Sequence, residues 1–106
     1  MSYVAVDKKT SEVPLGELTL AKAGQVLVLL SNVEGKIYAT SWTCPHEGAA
    51  LNYGFLDGNE VVCASHGAIF DVMTGDVLSG PSDYGIVCFP VKVEGEDILV
   101  EIQGLA

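Results

Sequence analysis

The chain has 106 residues with fourteen acidic and five basic side chains, a net charge of −9, and no arginine among its bases; that argues against nucleic acid, whose phosphates are bound by Lys and Arg. A hydrophobic share of 49% marks a globular chain rather than a disordered one and suits a single domain with a modest core. Its longest aliphatic run, Val26–Leu30, falls far short of the ~20 residues of a membrane helix, and "MSYVAVDKK" lacks the basic start and long apolar stretch of a secretory signal, so the expectation is a cytoplasmic protein without a membrane partner.

No long stretch keeps a 3.6-residue apolar period. Short runs of Val, Ile, Leu and Tyr recur instead, punctuated by Gly, Asp and Asn, and this pattern predicts an all-β sandwich or barrel of antiparallel strands. In chain order the predicted strands are Tyr3–Val6, Glu17–Leu20, Gln25–Ser31 and Lys36–Thr40, then Tyr53–Leu56, Glu60–Cys63, Ala68–Asp71 and Asp76–Leu78, and last Gly85–Val93 and Ile98–Ile102. The turns "NVEG" at 32–35, "DGN" at 57–59, "TGD" at 74–76 and "EGED" at 94–97 each place Gly where a tight turn needs positive φ. "SGPSDYG" at 79–85 reads as a loop. No linker or low-complexity tract breaks the chain, so residues 1–106 are expected to form one domain.

The "DGN" turn makes residues 53–63 a hairpin with Cys63 at the end of its second strand. That hairpin folds the chain back and can bring Cys44 and His46 together with Cys63 and His66. These four are both histidines and two of the three cysteines. An odd cysteine count in a chain without a signal favours metal ligation over a disulfide framework.

The two loops resemble each other: "CPHEGA" at 44–49 and "CASHGA" at 63–68. Each supplies one thiolate and one imidazole, then a Gly that lets the backbone come close to an inorganic centre and present its N–H groups. Two thiolates and two imidazoles fit a structural zinc or an iron–sulfur cluster. Structural zinc usually takes paired like ligands from each knuckle. Here each loop gives one of each, which matches two irons side by side, one held by thiolates and the other by imidazoles.

C-x-H, 16 residues, then C-x-x-H-G is similar to the Rieske [2Fe–2S] motif. The "FDVMTGDVLSGPSDYGIVCFPVKVEGEDILVEI" that follows resembles the rest of a Rieske domain. Over nearly the whole chain the pattern resembles a free-standing Rieske ferredoxin, with a cluster-binding portion at about 42–84. The resemblance implies that Cys44 and Cys63 hold the inner iron, and His46 and His66 the outer one. Cys88, amid strand residues with no Cys or His neighbour, reads as core. Trp42 reads as packing beneath the first loop, with an electron-relay role the lesser alternative. Glu47 reads as a solvated loop acid that could also tune His46.

High-potential Rieske proteins carry an extra cysteine in each loop, joined as a disulfide. Ala49 and Ser65 stand at those positions here. They also carry a Ser after the second His-Gly and a Tyr two residues on, both donating to cluster sulfurs; here these are Ala68 and Phe70. Fewer donors stabilise the added electron less, so the resemblance implies the low-potential class. A Rieske oxygenase would need a second iron held by two more histidines and a carboxylate, and this chain has no further histidine. No G-x-G-x-x-G stretch supports flavin or nicotinamide binding.

The implied role is therefore not that of an enzyme. It is a soluble, monomeric electron carrier between an NAD(P)H-dependent flavin-containing ferredoxin reductase and a terminal Rieske oxygenase that hydroxylates aromatic rings. The alternatives are the small Rieske subunit of an assimilatory nitrite reductase and, from another class, a zinc-stabilised binding module. Partners are expected over 44–49 and 63–68, with 79–85 at the rim. Pro45, Ala49, Ala68 and Pro81 would form a small, partly apolar centre beside Glu47 and Asp83. The overall acidity serves either solubility or steering of a basic partner.

Overall fold

The computed structural model describes residues 3–45, 48–65, 67–80 and 84–102. They form eleven strands in two antiparallel sheets. The first sheet contains β1 (Tyr3–Lys9), β2 (Leu18–Ala23), β3 (Val26–Val33), β4 (Lys36–Thr40), β9 (Cys88–Phe89), β10 (Val91–Glu94) and β11 (Asp97–Glu101), in the order β10-β11-β1-β2-β3-β4-β9. The second contains β5 (Phe55–Asp57), β6 (Glu60–Val62), β7 (Ile69–Asp71) and β8 (Val77–Ser79), in simple sequential order. The all-β expectation holds. Among the described residues the helical elements are two single 3-10 turns, Thr10–Glu12 and Leu51–Tyr53, and no helix is long and apolar enough to cross a membrane.

The predicted strand Gly85–Val93 is two strands. Pro90 has no N–H to give to a ladder, so a continuous paired strand cannot run through it. Before the proline, β9 pairs with β4. After it, β10 pairs with β11, and Glu101 donates its N–H to the Pro90 carbonyl at 3.0 Å. One break thus passes the chain from one edge of the first sheet to the other and nearly closes it. The predicted strand at Tyr53–Leu56 also begins later, because Tyr53 belongs to the 3-10 turn that precedes β5.

The hairpin turns follow the sequence signals. At Glu34–Gly35 both corner residues have positive φ, 52° and 95°, as a two-residue type I′ turn requires. Asn32 braces that turn: its side-chain oxygen accepts from Gly35 N at 2.9 Å and its amide donates to Val13 O at 2.7 Å. The "DGN" signal is the β5–β6 turn, with Asp57 opposite Glu60.

Strand β3 explains where the site sits. Most β-strands alternate buried and exposed residues, yet Val28 to Asn32 are buried without interruption, the mark of a strand covered on both faces. On one face Val28 and Leu30 join Val13, Ile37, Ile98 and Val100 in the core of the first sheet. On the other, Leu29 joins a second apolar cluster with Leu51, Val61, Ala68, Phe70, Val72 and Ile86. Cys44 and Cys63 belong to that second cluster.

Candidate metal centre

Each cysteine starts a hairpin turn of the same construction. In the first loop, Thr43 bridges Ala50 and Leu51 N donates to Trp42 O. Inside that base, Cys44 N donates to Ala49 O at 2.8 Å and Gly48 N donates back to Cys44 O at 2.7 Å. In the second, Val62 pairs with Ile69. Inside that pair, Cys63 N donates to Ala68 O at 2.8 Å and Gly67 N to Cys63 O at 3.0 Å. Gly48 and Gly67 both have φ 75°, a left-handed conformation that costs glycine nothing. The two glycines therefore shape the turn, and their N–H groups are bonded within it rather than presented to a metal centre, contrary to the sequence expectation.

The same turn occurs a third time. Asp71 N donates to Asp76 O at 2.9 Å, Gly75 N to Asp71 O at 2.7 Å, and Gly75 has φ 86°. This loop, "DVMTGD", has a carboxylate where the other two have a thiol. The backbone of the cysteine loops is thus an ordinary hairpin solution, and only the side chains mounted on it make them candidates for metal.

Cys44 and Cys63 are each 2% exposed. His46, His66 and Glu47 lie outside the described residues, as do Pro81, Ser82 and Asp83. Two thiols at the tips of matched turns over one apolar core fit a soft, positively charged inorganic centre. A thiolate buried without such a partner would carry an uncompensated charge. Ala68 and Phe70 are fully buried within this core, and neither side chain can hydrogen-bond.

Gly80, just after β8, lies against the second loop, and Gly85 lies against the turn at 71–76. A Cβ placed on Gly80, whose φ is 98°, would lie 2.5 Å from Ala68 Cα, and one on Gly85 would lie 2.1 Å from Gly75 O. Ile86 N bonds to Gly75 O at 2.8 Å. Both glycines are there because the backbones touch. Ala68 is therefore buried beneath Gly80 rather than part of an exposed docking centre, which corrects the sequence expectation. Pro45 is exposed and Ala49 half-buried, as that expectation had them.

Cys88 is also not core. It lies half-buried on β9, its Sγ 3.6 Å from Val72 O. Burial pushes its thiol pKa up, and Asp71 and Asp76 add to the shift, which disfavours the nucleophilic thiolate. Trp42 packs against the second core, as its position before the loop implied. The repeat of the turn at 71–76 was missed in the sequence, although the G-A or G-D ending of all three loops was there to find.

These features define a class: a small β protein built to hold one soft-ligand metal centre at the tips of two hairpins. A family model described as "Rieske [2Fe-2S] domain" matches residues 3–90. The chain is 40% identical over 93 residues to the ferredoxin component of the naphthalene 1,2-dioxygenase system of Pseudomonas aeruginosa, covering 87% of this chain and 88% of that one. It is 38% identical over 89 residues to the biphenyl 2,3-dioxygenase ferredoxin component of Rhodococcus jostii strain RHA1, covering 84% and 83%. A chain in the solved complex of reduced oxygenase and oxidized ferredoxin in carbazole 1,9a-dioxygenase superposes with a TM-score of 0.83 at 30% identity, over 92% of this chain and 91% of that one. The chain belongs to the Rieske [2Fe–2S] domain family. Its cofactor is a Rieske-type [2Fe–2S] cluster, and its role is electron transfer rather than catalysis.

Proposed function

We propose that this chain is the ferredoxin of an aromatic-ring-hydroxylating dioxygenase system, taking single electrons from an NAD(P)H-dependent flavin reductase and passing them to a terminal Rieske oxygenase in the cytoplasm. The relatives named above support this reading over a nitrite reductase subunit. Cys44 and Cys63 hold one iron and His46 and His66 the other, within a cluster-binding portion at about 42–84 of a single domain. The observation that carries this assignment is the matched pair of turns that bury two thiols in one core. When bound, the cluster supplies one reversible electron. The protein's part is to exclude water from the thiolate side; His46 and His66 would each hold iron through one ring nitrogen, which would leave the other N–H for a partner.

The experiment is spectroscopic. The purified protein should be red-brown and paramagnetic when reduced, with nitrogen coupling from two imidazoles. A colourless protein holding zinc would overturn the proposal.

The buried, donor-free Ala68 and Phe70 set the potential. With those donors absent, the midpoint should fall near the low end of the Rieske range, roughly −150 mV. Direct electrochemistry at neutral pH checks this, and a midpoint well above zero would refute it. Ala68→Ser should raise the midpoint, by the hydroxyl it adds beside the second loop.

A further inference from the structure

Beyond the loop tips, the outer face of the four-stranded sheet carries one apolar row and one acidic row. Its inner face is one row of side chains: Leu56 opposite Val61, Val61 opposite Phe70, and Phe70 opposite Val77, all packed into the second core. Side chains alternate along a strand, so the rows on either side face outward. One is apolar and in register: Phe55 opposite Val62, and Val62 opposite Ile69. It lies directly beneath Cys63 and Ala68, and Phe55 is 59% exposed. The other is acidic and also in register: Asp57 opposite Glu60, and Glu60 opposite Asp71.

Like charges placed directly opposite destabilise a sheet. Among the described residues, the ion pairs use lysines of the first sheet, Lys9 with Asp97 and Lys92 with Glu94. The sequence makes this general: between positions 41 and 90 there are six carboxylates and no lysine, and all five lysines lie outside that stretch. The half of the molecule carrying the cysteine turns has no cation of its own to set against the acidic row.

We infer that this face, from the Phe55–Val62–Ile69 row to the Asp57–Glu60–Asp71 row, seats a redox partner protein whose contact surface has an apolar centre bordered by Lys or Arg. The inference deepens the electron-carrier reading by extending the contact from the loop tips down one side of the sheet. The apolar row adjoins the second turn, so a partner seated there lies against the metal centre. The acidic row gives the partner's lysines carboxylates that no lysine pairs among the described residues, although Asp71 also accepts from Met73 N at 2.8 Å, and the cross-strand repulsion of the free protein is relieved on binding.

The test uses the reduced holoprotein and ferric cytochrome c, a basic protein with an apolar haem edge ringed by lysines, as the probe. One electron passes from the ferredoxin to the haem, and stopped flow gives the second-order rate. Glu60→Lys should slow transfer about tenfold at low salt. Glu96→Lys, an identical charge change in the β10–β11 turn, should slow it less than twofold. At about 1 M salt, where charges are screened beyond ~3 Å, Glu60→Lys should recover to within about twofold of the parent. Phe55→Ser, an exposed site that leaves folding intact, should slow transfer several-fold at every salt concentration, because an apolar contact is not screened. If Glu60→Lys and Glu96→Lys slow transfer equally and Phe55→Ser is silent, the face is not a docking surface, although the carrier reading stands. Loss of that reading would show separately, as a missing Rieske spectrum in the parent protein.

Discussion

Cys44→Ser or Cys63→Ser should yield a colourless protein that melts far below the parent, while Cys88→Ser should keep the full visible spectrum. A serine oxygen is a hard, weakly acidic donor that does not replace a thiolate on iron. Each substitution would also leave a hydroxyl buried in a core where the thiol is 2% exposed, at a cost of about 1–3 kcal/mol if unpaired. Losing the centre also removes the tie between the two turns. A covalent cross-link closing a loop of comparable length contributes about 3 kcal/mol. The combined loss approaches the whole stability of a small domain, so some of the variant should be recovered unfolded. Cys88 sits half-buried on β9 with its sulfur 3.6 Å from the Val72 carbonyl, and its loss should shift the melting midpoint by a few degrees at most. Visible absorbance and iron content of the three variants decide the matter. Bleaching by Cys88→Ser with an intact Cys63→Ser would reverse the ligand assignment.

The second large effect is expected at Gly80. An alanine there combines a left-handed φ of 98° with a methyl 2.5 Å from Ala68 Cα. The backbone strain costs about 1–2 kcal/mol and the overpacking another 1–3 kcal/mol, and the relief available is to lift Gly80 off Ala68. Gly48→Ala and Gly67→Ala carry the strain alone, because among the described residues nothing lies within 4 Å of the added methyl. Gly80→Ala should therefore lower the melting midpoint by at least twice as much as either. It should also change the midpoint potential by admitting water above Ala68. Equal melting of all three variants would mean that Gly80 does not bear on the turn.

The sequence made the β class readable because its strands are short and most are closed by a Gly-containing turn. Lys36–Thr40 matches its prediction residue for residue. The candidate ligands were readable for a different reason: soft donors are rare in this chain, and their spacing is asymmetric in the manner of a two-iron centre. What escaped was whatever depends on a distant segment. The burial of Ala68 is decided by Gly80 closing over it, and Cys88 is half-exposed because the break at Pro90 puts it on a two-residue strand at the sheet edge. Pro90 itself was visible, but a run of apolar residues around it outweighed the missing N–H.

The third turn at 71–76 has a consequence for how the protein is made. It takes the same hydrogen bonds as the two cysteine turns with no thiol in it, so that backbone shape does not depend on iron. Each cysteine turn can close while the chain is still empty, as any hairpin does. What the empty chain lacks is the bond between the turns, not the turns themselves. A cluster would then tie together two turns whose backbone hydrogen bonds need no iron, and that tie is the stability the Cys44 and Cys63 variants lose. A carrier that must be loaded once and then cycle many times gains from separating these events: folding prepares the sulfurs, and the metal only has to arrive.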